Sequence, residues 1–447
     1  MSAIDSGRSG LGRGLTRRSL ALMNWTVLWR SIFDSTCSGT SLLFTAFLLA
    51  LAVEKEDMGY FPAAVSFACL LQMICLAILN QLKNRKRYII TLGVVEAVAM
   101  MVLVSAAPFL PGPWRVGVVA VGLLMAAACV HLTRPLTDEW LASLIPPGLR
   151  GRYLSRRLRF MNLGFLAGVG IVGLVDLRFG AEPIWDFWAF LDSIARHWVL
   201  GVLLLAGTVC GVASVITLSR AHMADVSLVS MVRFRDLPQM WRARRYLRLV
   251  LAVVLINVPF CLPLGYFHAF NLDVVGMPLW LVCVMWIGYL TVKSLWMRPA
   301  SRLVDRYGPR QALLIFLPMY MGLFFAMAAA GPGRPWLVFV AWGASLVVDA
   351  VWMVATQVAL YGSVPKEGAR PAYFAVFNIF MLAPIGLGGL VAVPVMHALK
   401  DVTLEIGPLT LSQFQILFVS SGVLMIPACL GPLLMDRDRM RAGQNCE

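Results

Sequence analysis

The chain has 447 residues, 60% of them apolar and only 14% charged, with a mean hydropathy of +0.78. That balance excludes a soluble globular protein and places most of the chain in a bilayer. The net charge of +15 would point to nucleic acid in a soluble chain. In a membrane protein basic residues orient the spans instead, so no nucleic-acid partner is expected.

A span needs about 20 apolar residues to cross about 30 Å of hydrocarbon. Twelve runs meet this in chain order: 30–53, 58–82, 88–109, 114–141, 160–177, 197–218, 246–268, 275–297, 312–330, 335–362, 372–396 and 412–434. They are predicted helices 1 to 12. The first run ends in Ala50-Leu51-Ala52, which imitates a signal-peptidase site, but it is too long for a signal-peptide core and contains Asp34. Lys and Arg test the ladder independently. Segments 8–30, 83–87, 150–159, 220–248, 298–310, 366–370 and 437–441 hold 30 of the 38, and the alternate loops hold six. One missed helix would scramble this alternation, so both termini are expected in the cytoplasm. Eight of the nine cysteines fall within or beside the apolar runs without metal-ligand spacing, and neither a metal nor another cofactor is expected.

The chain also repeats itself. Residues 162–175, "NLGFLAGVGIVGLV", align without gaps on 378–391, "NIFMLAPIGLGGLV", with seven identities that include Asn162/Asn378, Gly170/Gly386 and Gly173/Gly389. Helices 4 and 10 end alike, in "IPPGLRGRY" and "VPKEGARPAY". The expected organisation is an N-terminal tail (1–29), a six-helix bundle (30–218), a basic linker along the inner leaflet (219–245), a second six-helix bundle (246–434) and a C-terminal tail (435–447). The glycines of helix 5, Gly164, Gly168, Gly170 and Gly173, predict close helix packing. The aromatic-rich loop 183–198 reads as an interfacial helix.

Polar residues at helical spacing inside apolar spans mark a water-filled route. Helix 1 carries Asp34, Ser38, Ser41 and Thr45; helix 10 carries Ser345, Asp349, Trp352 and Thr356; helix 4 carries His131, Arg134 and Asp138 beside Pro135; helix 7 carries Asn257, Cys261 and His268. Asp349 lies near the middle of helix 10, where a carboxylate must either pair or take a proton, so proton coupling or direct substrate contact is expected of it. Arg134 either binds an anionic group or neutralises Asp138. Asp34 has Arg30 four residues earlier and reads as a structural pair. Glu96 on helix 3 stands alone and serves either coupling or a buried contact. Lys293 is expected to snorkel to the inner surface.

The stretch "SRLVDRYGPRQ" at 301–311 is expected to be a short inner loop between helices 8 and 9, with Gly308-Pro309 making a tight turn. Here the chain resembles the major facilitator superfamily, whose loop motif reads G-x-L-a-D-R-x-G-R-K. Ser301 stands at the first glycine position, Leu303, Asp305, Arg306 and Gly308 match, Pro309 replaces a basic residue and Arg310 keeps one. The first-half counterpart, "AILNQLKNRK", departs further, with Gln81 and Asn84 at the Asp and Gly positions. The resemblance implies a cavity lined by helices 1, 4, 7 and 10. It also implies a conformational latch at Asp305, Arg306, Gly308 and Arg310, engaging the inner end of helix 5 near 150–159. Drug export stays open: helix 5 lacks the Gly-Pro dipeptide of the drug–proton antiporters, while helix 11 has Ala383-Pro384 followed by Gly388-Gly389, a partial likeness.

The sequence therefore predicts an all-α integral membrane protein of the cell membrane. Its expected activity is secondary active transport of a small solute, coupled to protons, for which a monomer suffices. A non-transporting assembly or sensor protein on the same fold is the alternative. A membrane-embedded enzyme is not expected, since no P-loop, metal-ligand pair or nucleophile elbow occurs.

Overall fold

The computed structural model describes residues 13–78, 82, 84–144, 150–180, 196–222, 243–364, 370–400, 402–406 and 409–435. Eleven helical segments among them are long and apolar enough to cross a membrane: Arg17–Ala50, Lys55–Cys75, Arg85–Phe109, Trp114–Asp138, Arg156–Leu174, His197–Ser219, Leu279–Tyr307, Pro309–Ala329, Trp336–Leu360, Ala372–Ala398 and Gln413–Leu434. They fall on predicted helices 1–6 and 8–12. Predicted helix 7 corresponds to Arg244–Cys261, which opens on Arg244, Arg245 and Arg248 and is correspondingly less apolar. It does not run on to residue 268. Turns occupy 262–266, followed by a short helix Phe267–Ala269 and a π-helical turn Phe270–Val274.

Helix 1 is also interrupted, as Arg13–Cys37 and Leu42–Ala50. Between them lies Ser38-Gly39-Thr40, three residues whose short side chains or missing Cβ favour local turns over helix. Ser41 starts the second piece: its hydroxyl accepts from the Phe44 amide at 3.3 Å and donates to the Thr36 carbonyl at 2.6 Å. The polar face predicted across residues 34–45 is therefore not one continuous helical stripe.

Glycines set the closest helix contacts. A Cβ on Gly164 would lie 2.4 Å from the Leu28 carbonyl oxygen, so helix 5 can approach helix 1 only without that carbon. Helix 11 approaches helix 7 in the same way, a Cβ on Gly388 falling 2.5 Å from the Cys261 carbonyl oxygen. The backbone cannot yield as a side-chain tip can. Gly164→Ala is accordingly expected to destabilise by about 1–3 kcal/mol, read as a lower unfolding temperature in detergent. The pairing is repeated throughout: helices 1·5, 1·6, 3·4, 3·6 and 2·4 pack together, and so do 7·11, 7·12, 9·10, 9·12 and 8·10. The two halves of the chain meet through helices 5·8, where the Asn162 amide donates to Ser294 Oγ, and through helices 2·11.

Two departures from the expected elements are local. Residues 301–307 are not loop but the last turns of helix 8, which runs Leu279–Tyr307. The turn itself is Gly308, at φ 80°, followed by Pro309 in the first turn of helix 9. Secondly, Leu404–Ile406 and Leu409–Leu411 pair as a small antiparallel hairpin between helices 11 and 12. The end of the molecule carrying residues 150–159, 244–248 and 298–310 is called the basic end, and the opposite one the far end. Most of the linker, residues 223–242, lies outside the described residues, as do 183–195 of the predicted interfacial helix.

Candidate functional site

Helices 8 and 10 both run from the far end to the basic end and pack against each other. Exposed Val284, Val292 and Leu295 mark the outer face of helix 8, and exposed Trp336, Phe339 and Val340 that of helix 10. At 100° per residue, Trp286, Tyr289 and Lys293 on one helix and Trp342, Ser345, Asp349, Trp352 and Thr356 on the other point the opposite way, into the molecule. There Lys293 Nζ lies 3.5 Å from Asp349 Oδ2 and 3.3 Å from the Tyr289 hydroxyl. The Tyr320 hydroxyl of helix 9 donates to Asp349 Oδ1. Lys293 thus does not snorkel to the inner surface; a carboxylate two helices away in sequence holds it inside. Neither partner is sealed, with side-chain exposures of 16% for Lys293 and 26% for Asp349.

Two turns nearer the far end the same faces become aromatic. Trp286 and Trp342 have ring centroids 4.8 Å apart, Tyr289 and Phe267 each lie 5.5 Å from Trp342, and His268 lies 5.6 Å from Trp286. Among the described residues both indole N–H groups are buried without a partner, as are His268 Nδ1, Asn257 Nδ2, Thr356 Oγ1 and both polar side-chain atoms of Asn271. Ser345 donates to the Trp342 carbonyl of its own helix.

In the first half, Arg30 makes two bonds of 2.6 Å to the oxygens of Glu96 and one of 2.9 Å to Asp34. The fork geometry of the guanidinium suits two carboxylates at once. Glu96 is therefore no isolated charge: helix 3 brings it to helix 1. Gln72 of helix 2 bonds His131 Nδ1 at 2.9 Å, and His131 is buried. Arg134 and Asp138 form a loose pair at 3.9 Å and are both more than half exposed. Ser38 bonds Thr40 at 3.0 Å within the break of helix 1.

The far end is tied across the two halves by four consecutive residues that the sequence reading passed over. Glu54 pairs with Lys400 at 3.3 Å, Lys55 with Asp273 at 2.9 Å, and Asp57 with His397 at 2.9 Å. Glu56, almost fully buried, accepts from Gln413 at 2.7 Å, and its backbone carbonyl accepts from the Tyr266 hydroxyl at 2.9 Å. Four charged residues in a row, in a loop where Lys and Arg are otherwise scarce, were the signal that could have flagged this clasp. At the basic end Asp305 is exposed and makes no bond among the described residues, Arg306 lies 5.4 Å from the Tyr307 ring, and Arg310 is half-buried.

No protein-family model and no curated protein sequence matches the chain. Solved structures do. The nucleoside transporter NupG superposes with a TM-score of 0.64 at 11% identity, covering 94% of this chain and 100% of that one. A bacterial homologue of the human lysosomal transporter Spinster, solved in an inward-facing, unoccupied conformation, gives 0.63 at 15% identity over 95% of this chain and 97% of its own. The fucose:proton symporter FucP of E. coli gives 0.54 at 16% identity over 95% and 98%. The fold is that of the major facilitator transporters. That fold, with eleven helices among the described residues long and apolar enough to cross a membrane, is that of a multi-pass membrane protein.

Proposed function

We propose that this major facilitator protein is a proton-coupled secondary transporter of a small solute, working by alternating access in the cell membrane. The proposal includes twelve crossing helices with both termini cytoplasmic, in two six-helix bundles, 30–218 and 246–434, joined by 219–245. The observation that carries it is the Lys293–Asp349 pair, turned inward on helices 8 and 10 and still reachable by water. A proton on Asp349 cancels the attraction that holds Lys293 and frees helices 8 and 10 to shift against each other. The loose Arg134–Asp138 pair and the Arg30–Asp34–Glu96 group complete the charged lining from the first half. Nucleoside transport by NupG and fucose–proton symport by FucP support the reading, and an enzymatic role does not enter it.

The state of the two ends fits one half of the cycle. The engaged 54–57 clasp, with Asp305 making no bond among the described residues, supports an inward-facing state that is closed at the far end. Rocking about the 5·8 and 2·11 contacts would release the clasp and bring Asp305 to the inner end of helix 5. Two measurements follow. Removing the clasp side chains with Glu56→Ala and Asp57→Ala is expected to raise labelling of a cysteine placed at Asn257 by an impermeant maleimide from outside about tenfold, for a shift of about 1.4 kcal/mol between the two states. Unchanged labelling would refute the gate. Asp305→Asn is expected to slow transport while leaving the inward-facing form intact, and an unaltered rate would remove the latch. The proposal as a whole is tested in proteoliposomes, where an inward proton gradient must drive accumulation of a solute.

A further inference from the structure

Resting on the transporter reading, we infer that the second-half site takes an uncharged, polyhydroxylated ring, the chemistry shared by a monosaccharide and the ribose of a nucleoside. Three features of the inward faces of helices 8 and 10 lead there. Trp286, Tyr289 and Trp342 form a contiguous aromatic wall with centroid separations of 4.8 to 5.5 Å. Such a wall packs well against the flat, C–H-bearing face of a saturated ring. Beside it, Lys293, Tyr289 and Asp349 offer in turn a donor, a hydroxyl and an acceptor.

Charge decides the class. While Asp349 is ionised it and Lys293 cancel, so an anion or cation entering then must break the pair and leave one charge uncompensated in a largely buried place. A neutral diol need not. At 3.5 Å the pair is longer than the 2.7–2.9 Å of a tight charge-assisted bond, so adjacent hydroxyls can bridge it, one accepting from Lys293 and one donating to Asp349. The third feature is the set of orphans. The indole N–H groups of Trp286 and Trp342 and Nδ1 of His268 are buried without partners among the described residues, and leaving such groups unpaired is costly. Hydroxyl oxygens sliding between wall and pair would satisfy the donors, and a bare aromatic or aliphatic solute would not.

The test uses the full-length protein in detergent, with thermal stability read against glucose, galactose, uridine, adenosine, phenylalanine, succinate and tetraphenylphosphonium. A hexose or a nucleoside is expected to stabilise it, and comparing the two series tells which ring is preferred. Trp342→Leu and Trp286→Leu should each raise the dissociation constant of that solute at least tenfold, and Trp342→Phe, which keeps an aromatic ring in place, by much less. Stabilisation only by succinate, phenylalanine or the phosphonium would overturn the inference, as would unchanged hexose or nucleoside affinity in folded Trp→Leu variants. Counterflow of the stabilising solute in proteoliposomes separates the two readings. A charged solute that binds and exchanges sinks the substrate class but keeps the transporter, whereas a neutral ring that binds without exchanging does the reverse. No stabilisation by any of the seven counts against both.

Discussion

Asp349→Asn is expected to abolish proton-driven accumulation, with the initial rate falling about 100-fold, equivalent to about 2.7 kcal/mol, while solute exchange without a proton gradient persists. The side chains have nearly the same shape, so the acceptor for the Tyr320 hydroxyl survives. What disappears is the charge that a proton can cancel. Wild-type uptake should rise as the outer side is acidified, because protonation of Asp349 releases Lys293; the variant should show no such slope. The substitution also leaves the Lys293 ammonium, 16% exposed, without its counter-ion. Breaking a buried pair by removing one member costs about 3–5 kcal/mol, reduced here by the remaining access to water. Replacing both members, with Lys293→Met added, should therefore recover much of the lost thermal stability and none of the proton-driven uptake. Proton-driven accumulation at the wild-type rate in Asp349→Asn would remove Asp349 from the coupling mechanism.

Arg30→Gln is expected to give the largest loss of stability, about 3–5 kcal/mol, measured as a fall in unfolding temperature in detergent. Arg30 stands between Glu96 and Asp34 and is the partner of both. Without it two carboxylates face each other, and the Glu96 side chain, only 7% exposed, cannot turn to water. Asp34 is 37% exposed and should matter less, about 0–1 kcal/mol for Asp34→Asn. Adding Glu96→Gln to Arg30→Gln removes the stranded charge and should restore part of the loss. A double-mutant cycle with no coupling between positions 30 and 96 would contradict the bidentate bond. The helix 3 carboxylate thus holds helix 3 to helix 1 first, and any part it plays in coupling acts through Arg30.

Much of the architecture was legible because its signals are local. Apolar length places a span, basic residues mark an end, and polar residues three or four apart mark one face of a helix. Helix 10 illustrates this: Ser345, Asp349 and Thr356 share an inward face because the periodicity that reveals it is a property of a single helix. Gly308-Pro309 made its turn for the same reason, since φ freedom and a missing N–H belong to the residues themselves. Where local signals competed, the reading went astray. Ser38 and Ser41 belong to the predicted polar stripe, yet Ser38-Gly39-Thr40 is also a break signal, and the Ser41 cap on the Phe44 amide decided for the break.

Partners distant in the chain were not legible. Lys293 meets Asp349 across 56 positions, Arg30 meets Glu96 across 66, and the residues of the 54–57 clasp reach partners more than 200 positions away. A lone lysine in a span has a cheap way out to the interface, so its sequence context favours snorkelling. Only the packing of helix 8 on helix 10 offers it a carboxylate nearer than water. The sequence by itself determined which segments form long apolar helices, where the basic residues gather, and which faces of helices 4 and 10 are polar, because hydrophobicity and helical period are read one segment at a time. The tertiary structure alone decided which charges neutralise one another, which residues tie the two halves at the far end, and that an aromatic wall stands beside the Lys293–Asp349 pair, because those depend on how separate helices are brought together.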